Sequence, residues 1–165
     1  MMKLVLAPNT VLKQRAEDWN FDVDTNAAEL EVDMVMTMVT SKGIGLAANQ
    51  VGILKRVFAI KLTDQVPFCM FNPVIIKHET ELEDDSEGCL SFPNLFLKVK
   101  RYSSITAEYF DRQGKKRIIE LEGLDARCFQ HELDHLDGVC FTDVISPLKL
   151  AMAVKKQRKL NGRTK

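Results

Sequence analysis

The amino-acid sequence predicts an α+β fold, in which mixed β-strands pack around a central helix, with further helices near the N- and C-termini. Segments rich in β-branched and aromatic residues fill the middle of the chain, and segments with helical periodicity flank them. The length of 165 residues, without internal repeats or low-complexity linkers, indicates a single domain spanning 1–165 that can bury a core without disulfides.

The first predicted helix covers residues 24–42. Asp24 or Thr25 can cap its N-terminus, and Gly43 is suited to end it. Apolar residues recur at helical spacing along this segment, at Leu30, Met34, Val35 and Met38. We interpret its methionines as core residues, because an unbranched thioether side chain fills irregular space well.

The middle of the chain is predicted to be mostly strand. The predicted strands are 56–62, 68–76, 96–99, 104–110 and 117–121. A turn at 111–114 makes the last two strands a hairpin. An acidic run, interleaved with Thr80 and Leu82, favours a solvated edge strand protected by charge. Its members are Glu79, Glu81, Glu83, Asp84, Asp85 and Glu87.

Two further helices complete the predicted fold. One covers about 124–136, ends near Gly138 and is the central helix of the fold. The other follows Pro147 and runs to about residue 160. It opens a basic helix and tail, 147–165, that contains no acidic residue. The cations of this segment are Lys149, Lys155, Lys156, Arg158, Lys159, Arg163 and Lys165.

The composition favours a small enzyme over a protein that binds DNA or membranes. Twenty-three basic and 23 acidic residues give a formal charge of zero, so no overall field attracts DNA or a membrane surface. The N-terminal apolar run breaks at Pro8 and is too short for a signal peptide, and no run is long enough to cross a bilayer. We therefore expect a cytoplasmic protein whose four cysteines stay reduced.

The most informative stretch is Gln130-His131-Glu132-Leu133-Asp134-His135, which contains the pattern H-E-x-x-H. Because positions i and i+4 share one face of a helix, His131 and His135 can bind one metal ion. The neighbouring Glu132 can reach a water molecule at that ion, and this combination is typical of metal-assisted hydrolysis. The alternative is an exposed helix that happens to carry two unrelated histidines.

A two-histidine site needs a third protein ligand. The remaining histidine, His78, stands at the polar end of a strand-like run, where we expect it to face solvent. Cys69, Cys128 and Cys140 have apolar neighbours, which indicates packing in the core. Cys89 differs because it follows a glycine that allows close approach of another group. These patterns favour Cys89, while His78 and the many carboxylates stay open as alternatives.

Three segments, in order, resemble the signatures of the peptide deformylases. Gly43 to Gln50 resembles G-x-G-x-A-A-x-Q, Glu87 to Ser91 resembles E-G-C-L-S, and Gln130 to Gly138 resembles Q-H-E-x-D-H-L-x-G. The defining positions contain no mismatch. Weaker similarities extend the resemblance over most of the chain, among them Asn72-Pro73, Val99-Lys100-Arg101, Gly123-Leu124 and Ala126-Arg127.

The resemblance implies a metal-dependent hydrolase that removes the N-formyl group from formyl-methionyl nascent peptides and releases formate. The metal ligands that it implies are Cys89, His131 and His135. The catalytic groups that it implies are Glu132 as general base and acid, and the Gln50 side chain and Leu90 backbone N–H as oxyanion donors. The substrate-binding residues that it implies are Ile44, Gly45, Gly88 and Leu124. The expected cofactor is one divalent ion, Fe²⁺ by family preference, with Zn²⁺, Ni²⁺ or Co²⁺ tolerated.

The resemblance also bears on partners and on substrate preference. N-formylmethionyl peptides are the expected substrate. The basic C-terminal helix is a candidate contact with the ribosome. The alternative is that its positive charges only complement the dipole of the helix itself. Two positions depart from the pattern of many relatives. Asp85 stands where an apolar pocket residue is expected, and Phe96 stands where a basic residue near the peptide is often found.

Two other functions share part of these features. A zincin-type metallopeptidase would also use H-E-x-x-H, but it would want a ligand further downstream, and no histidine follows His135. A catalytically inactive relative that binds formylated chains would lack Glu132 or Gln50, and both are present. The residues therefore favour the hydrolase.

Overall fold

A computed structural model describes residues 2–161 of the chain. The described residues form three α-helices and seven β-strands in an α+β arrangement. The helices are α1 (Ala27–Thr40), α2 (Gly123–Leu136) and α3 (Pro147–Asn161). The strands are β1 (Gly45–Ala47), β2 (Val57–Ile60), β3 (Phe68–His78), β4 (Leu82–Cys89), β5 (Phe92–Tyr102), β6 (Ser104–Phe110) and β7 (Lys116–Glu122). Short 3₁₀ helices occupy Thr10–Lys13 and Ala48–Val51.

The strands form two antiparallel sheets. Five strands lie in the order β1-β2-β3-β6-β7, and β4 and β5 form a separate hairpin. In the larger sheet Phe58 pairs with Met70, and Ala107 pairs with Ile119. The β2 strand is buried along its whole length, which explains its continuous apolar sequence.

The two faces of the five-stranded sheet are covered by different helices. Because successive side chains alternate in direction, Phe58 packs in a cluster with Phe129 of α2, whereas Val57 packs in a cluster with Met34 of α1. The Phe58 and Phe129 rings meet edge to face, with their centroids 5.2 Å apart. This packing fixes α2 against the sheet and thereby places its opposite side toward the β4–β5 hairpin.

The β4–β5 hairpin has its own small core. Leu95, Leu97 and Val99 alternate inward along β5 and pack with Phe141, which follows α2. Residues of α3, including Leu150 and Val154, pack partly buried against the same cluster. The hairpin is therefore held between α2 and α3.

The predicted elements agree with the structure, with differences mainly at their ends. The prediction missed β1, because a three-residue buried strand is too short to show periodicity. It also began β5 at Phe96, four residues after its actual start; Pro93 and Asn94 in that stretch are residue types more typical of turns than of strands. The α1 helix begins at Ala27 after Asn26 and not after Asp24. Asp24 accepts a hydrogen bond from the Asn20 amide and lies 3.1 Å from Lys55 instead.

The basic C-terminal segment is described only in part. α3 begins at Pro147, as predicted, and Lys149, Lys155, Lys156 and Arg158 are exposed on it. The side chain of Lys159, and the residues Arg163 and Lys165, lie outside what the structure describes. Among residues 2–161, no helix has both the length and the apolar character needed to span a bilayer.

Candidate metal centre

Cys89, His131 and His135 come together where the end of β4 meets α2. Their ligand-capable atoms all lie within 4.8 Å of one another, and Cys89 Sγ lies 3.2 Å from His135 Nε2. The two histidines are one helical turn apart, as expected of H-E-x-x-H on a helix. Cys89 ends β4 at a register shift after Gly88, where the hairpin turns back toward Phe92. The alternative ligand His78 is exposed and stacks on Tyr102, with the ring centroids 3.8 Å apart.

The donor set fits a divalent cation. Sulfur and nitrogen ligands of a tetrahedral ion lie about 3.5 Å apart, close to the separation of Cys89 Sγ and His135 Nε2. Burial lowers the pKa of His135 well below its ordinary value, so its imidazole is neutral and can donate a lone pair. Burial also opposes a charge on His131, but hydrogen bonds with Cys89 and Glu87 outweigh it and raise its pKa to about 10. A cation must therefore displace a proton there.

Glu87 fixes the orientation of the His131 ring through a hydrogen bond. Its Oε2 lies 2.9 Å from His131 Nδ1, which leaves the other ring nitrogen for the metal centre. Arg101 donates two hydrogen bonds to Glu87, at 2.9 and 3.1 Å, and Arg127 donates one at 2.9 Å. Burial alone would raise the pKa of Glu87, but hydrogen bonds from His131 and Arg101 outweigh it and lower the pKa to about 2. The expectation that the whole acidic run is solvated is therefore wrong for Glu87, which is only 6% exposed.

The Glu132 carboxylate is buried beside the histidines. Among the described residues its Oε2 has no hydrogen-bond partner, so this oxygen is available to a bound molecule. Burial raises the pKa of Glu132 to about 7, even though the charge of His131 acts in the opposite direction. A Cβ atom on Gly45 would lie 2.2 Å from Glu132 Oε1, so only glycine allows this strand to pass so close to the carboxylate.

The Gln50 side chain is held in one orientation. Its Oε1 accepts a hydrogen bond of 2.8 Å from the Ala47 amide, which directs its Nε2 toward the centre. Nε2 then donates to Ser91 Oγ at 3.1 Å and lies 3.4 Å from Cys89 Sγ. Leu90, between Cys89 and Ser91, lines the cleft beside them. The Gln50 amide is thus held next to the sulfur.

A cleft of about 740 Å³ opens beside these groups. Cys89, His131, Glu132 and Gln50 all line it, whereas His135 is fully buried behind them. The predicted substrate-binding residues line the same cleft: Ile44, Gly45, Gly88 and Leu124. Their contact with substrate stays a prediction.

Comparison with known proteins decides the family of the chain. Residues 1–151 match the model of the polypeptide deformylase family. The chain belongs to this family. It is 40% identical over 157 residues to the peptide deformylase of Rhizobium meliloti (strain 1021), covering 93% of this chain and 90% of the relative. The match includes all three signature segments, since they lie within residues 1–151.

Solved deformylases have the same fold. The peptide deformylase of Thermus thermophilus superposes with a TM-score of 0.87 at 36% identity, covering 96% of this chain and 94% of that one. The peptide deformylase of Synechococcus elongatus, solved in complex with actinonin, gives a TM-score of 0.86 at 38% identity. The match covers 94% of this chain and 85% of that one. The deformylase chain is therefore a metal-dependent hydrolase that removes N-formyl groups from nascent peptides.

Several residues around the deformylase centre could not be found from the sequence. Arg101 and Arg127 are far apart in sequence, yet both donate to Glu87. Asn49 donates through Nδ2 to the carbonyl oxygen of His135 at 2.5 Å. Ser91 is the partner of Gln50. All four lie in or near the matched segments, but nothing in their types or spacing shows which carboxylate or carbonyl group they contact.

Proposed function

We propose that Cys89, His131 and His135 hold one divalent cation for the deformylation reaction. The observation that carries this proposal is the convergence of these three donors beside the buried Glu132 carboxylate, in one cleft. When bound, such an ion supplies positive charge that lowers the pKa of water and polarises the formyl oxygen, so that a nucleophile is available near neutral pH. Three protein ligands leave a further coordination position open for this purpose.

Glu132 would act as general base and then as general acid. Its free Oε2 can take a proton from water as the oxygen attacks the formyl carbon. The same proton can then pass to the amine nitrogen as the C–N bond breaks, leaving formate and a free methionine amino group. Its pKa of about 7 suits both steps, because a group titrating near working pH can accept and release a proton readily.

Gln50 and Leu90 would stabilise the charge that develops on the formyl oxygen. The Gln50 Nε2 is preorganised by Ala47 and Ser91, so little reorganisation is needed when the oxyanion forms. The Leu90 backbone N–H is the proposed second donor. Two such donors act best in a site that excludes water, and Glu132 and His135 are buried here.

The cleft would bind the peptide in an extended form. Gly45 and Gly88 offer backbone without side chains on its two sides, and Ile44 with Leu124 would contact the methionine side chain. We propose Fe²⁺ as the native ion. A thiolate with two imidazoles suits Fe²⁺, Co²⁺, Ni²⁺ and Zn²⁺ alike, so activity and metal content measured with each ion under anaerobic conditions distinguish them.

Formate release from a formyl-methionyl peptide tests this assignment. We expect the wild-type protein to release formate and to contain about one metal per chain. Cys89→Ala should lose both metal and activity, whereas His78→Ala and Cys69→Ala should keep both. If Cys89→Ala keeps metal and rate while His78→Ala loses them, the ligand assignment is wrong.

We further propose that the protein works in the cytoplasm and contacts the ribosome through α3. The four exposed cations Lys149, Lys155, Lys156 and Arg158 support the second part, since a basic helix surface binds phosphate backbones. Co-sedimentation with ribosomes should weaken on raising salt and on replacing Lys155 and Lys156 by Glu. The same replacements should leave formate release unchanged, and unaltered co-sedimentation would contradict the contact.

A further inference from the structure

Two large apolar side chains that line the cleft are exposed to solvent. Phe96 of β5 is 67% exposed, and Leu124 of α2 is 60% exposed. Both line the cleft that contains Cys89 and Glu132. Ile44, 43% exposed, lines it as well. We define these three residues as the apolar rim.

Phe96 is on the rim because of the strand geometry of β5. Leu95, Leu97 and Val99 point into the hairpin core, so Phe96 lies on the opposite face, which it shares with Lys98 and Lys100. It pairs with Gly88 across the hairpin, and Gly88 has no side chain to cover it.

The Phe96 ring lies across the Gly88 backbone. A Cβ atom on Gly88 would lie 2.9 Å from Phe96 Cε1, so the ring occupies the space that a side chain at position 88 would take. Gly88 immediately precedes Cys89, and therefore the ring stands beside the path of a peptide whose formyl group reaches the metal centre. From this position the Phe96 side chain can contact a bound peptide as well as solvent.

We infer that the apolar rim selects formyl-methionyl peptides with a large apolar residue in one or both of the two positions after methionine. This inference rests on the proposed function of the cleft. An extended chain advances about 3.3 Å per residue, so the next two side chains stay within the reach of the rim. Contact of these side chains with Phe96 removes apolar surface from water on both partners. The exposed Lys42 also lines the cleft and favours the opposite preference, for acidic residues.

The test measures binding separately from turnover. Formyl-Met-X-Ser and formyl-Met-Ser-X peptides, with X as Phe, Leu, Ser, Asp or Lys, are titrated calorimetrically into metal-loaded Glu132→Gln protein. We expect roughly 3- to 10-fold tighter binding for Phe and Leu than for Ser, in at least one position. Phe96→Ser in the same background should reduce this ratio to below about 2-fold, and Phe96→Leu should keep part of it. Ile118→Ser, at an equally exposed apolar position on β7, should leave it unchanged.

The outcomes separate the two proposals. Equal binding of all peptides, tighter binding of Asp peptides, a preference that survives Phe96→Ser, or no binding at all would each overturn the inference. Selective binding without formate release by the wild-type protein would contradict the proposed function and leave the inference standing. Circular dichroism of Phe96→Ser and Phe96→Leu shows whether each variant is folded, so that a lost preference is assigned to the side chain only in a folded protein.

Discussion

At the scale of single residues, the centre depends on groups whose chemistry is set by burial. Glu132 is 4% exposed, and this burial brings its pKa to about 7, whereas an exposed glutamate is a weaker base. Gln50 is 1% exposed and held by two hydrogen bonds of its own amide. Both side chains are therefore prepared for their proposed roles before substrate arrives.

Replacing Glu132 by Gln separates catalysis from metal binding. The amide keeps the shape of the carboxylate but cannot take a proton from water. We expect about one metal per chain and a loss of at least ~100-fold in kcat. Metal analysis and formate assays measure the two quantities, with Glu122→Gln, an exposed position, as control. Near-normal kcat in a metal-replete variant would remove Glu132 from the mechanism.

Replacing Gln50 by Ala removes one oxyanion donor. Since this donor acts mainly in the transition state, kcat should fall by roughly 100-fold or more, with a modest change in KM. Ser91→Ala should cause a smaller loss of the same kind, because Ser91 accepts from the Gln50 amide. The double variant should lose no more than Gln50→Ala alone. A rise in KM alone would show that Gln50 only positions the peptide.

At the scale of the elements, the β6–β7 hairpin shows how a turn fixes a register. Asp111 Oδ1 accepts from the Gln113 and Lys115 amides, and its Oδ2 lies 2.8 Å from Arg117 Nη2. Gly114 has φ of 75°, a left-handed conformation that suits glycine. Burial raises the pKa of Asp111, but the bonds from Lys115, Arg117 and Gln113 outweigh it, and the net pKa is lowered.

Asp111→Ala should lower the free energy of unfolding by about 1–2 kcal/mol at pH 7, through the lost hydrogen bonds. Because the pKa of this carboxyl is lower in the folded state, its contribution is fully present above the ordinary value of 3.8 and is lost as pH falls through the folded pKa. Urea unfolding at several pH values measures both effects, with Asp84→Ala as an exposed control. A destabilisation that persists undiminished at pH 2 would contradict this origin.

The sequence predicted those elements and contacts that depend on nearby residues. The H-E-x-x-H spacing placed His131 and His135 on one face, and the turn residues at 111–114 located the hairpin. Contacts between distant segments were not predictable in this way. Glu87 looked like one more surface carboxylate, because only the packing of β4 against β5 and α2 brings Arg101, Arg127 and His131 to it. The assignment of Cys89 as the third metal ligand likewise rested more on the family resemblance than on its spacing from the two histidines.

At the scale of the whole molecule, the centre joins two separately packed parts. Cys89 belongs to the β4–β5 hairpin, with its core around Leu97, and the two histidines belong to α2, which packs on the five-stranded sheet. The ion pairs of Glu87 with Arg127 and of Arg101 with Asp134 cross the same boundary. A cation bound by all three donors would therefore hold the two parts together.

Removing the metal should lower the thermal stability of the protein. A ligand that binds only the folded state at 100 times its Kd contributes about 2.7 kcal/mol, and for a chain of this size this corresponds to a fall in Tm of roughly 5–10 °C on chelation. Calorimetry with and without chelator, followed by metal addition, measures it. Cys89→Ala should show little difference between the two states, and a wild-type Tm insensitive to chelation would contradict the arrangement.

The dense packing of α2 has a consequence for how this enzyme can change over generations. Residues 126–132 are buried without interruption, so no side chain in this stretch can be substituted without cost to the core, the Glu87 ion pairs or the centre. Phe96 and Leu124, by contrast, are exposed and contribute little to folding. Drift and selection can therefore change, through these two positions, which nascent chains are processed fastest, while residues 126–132 remain nearly fixed.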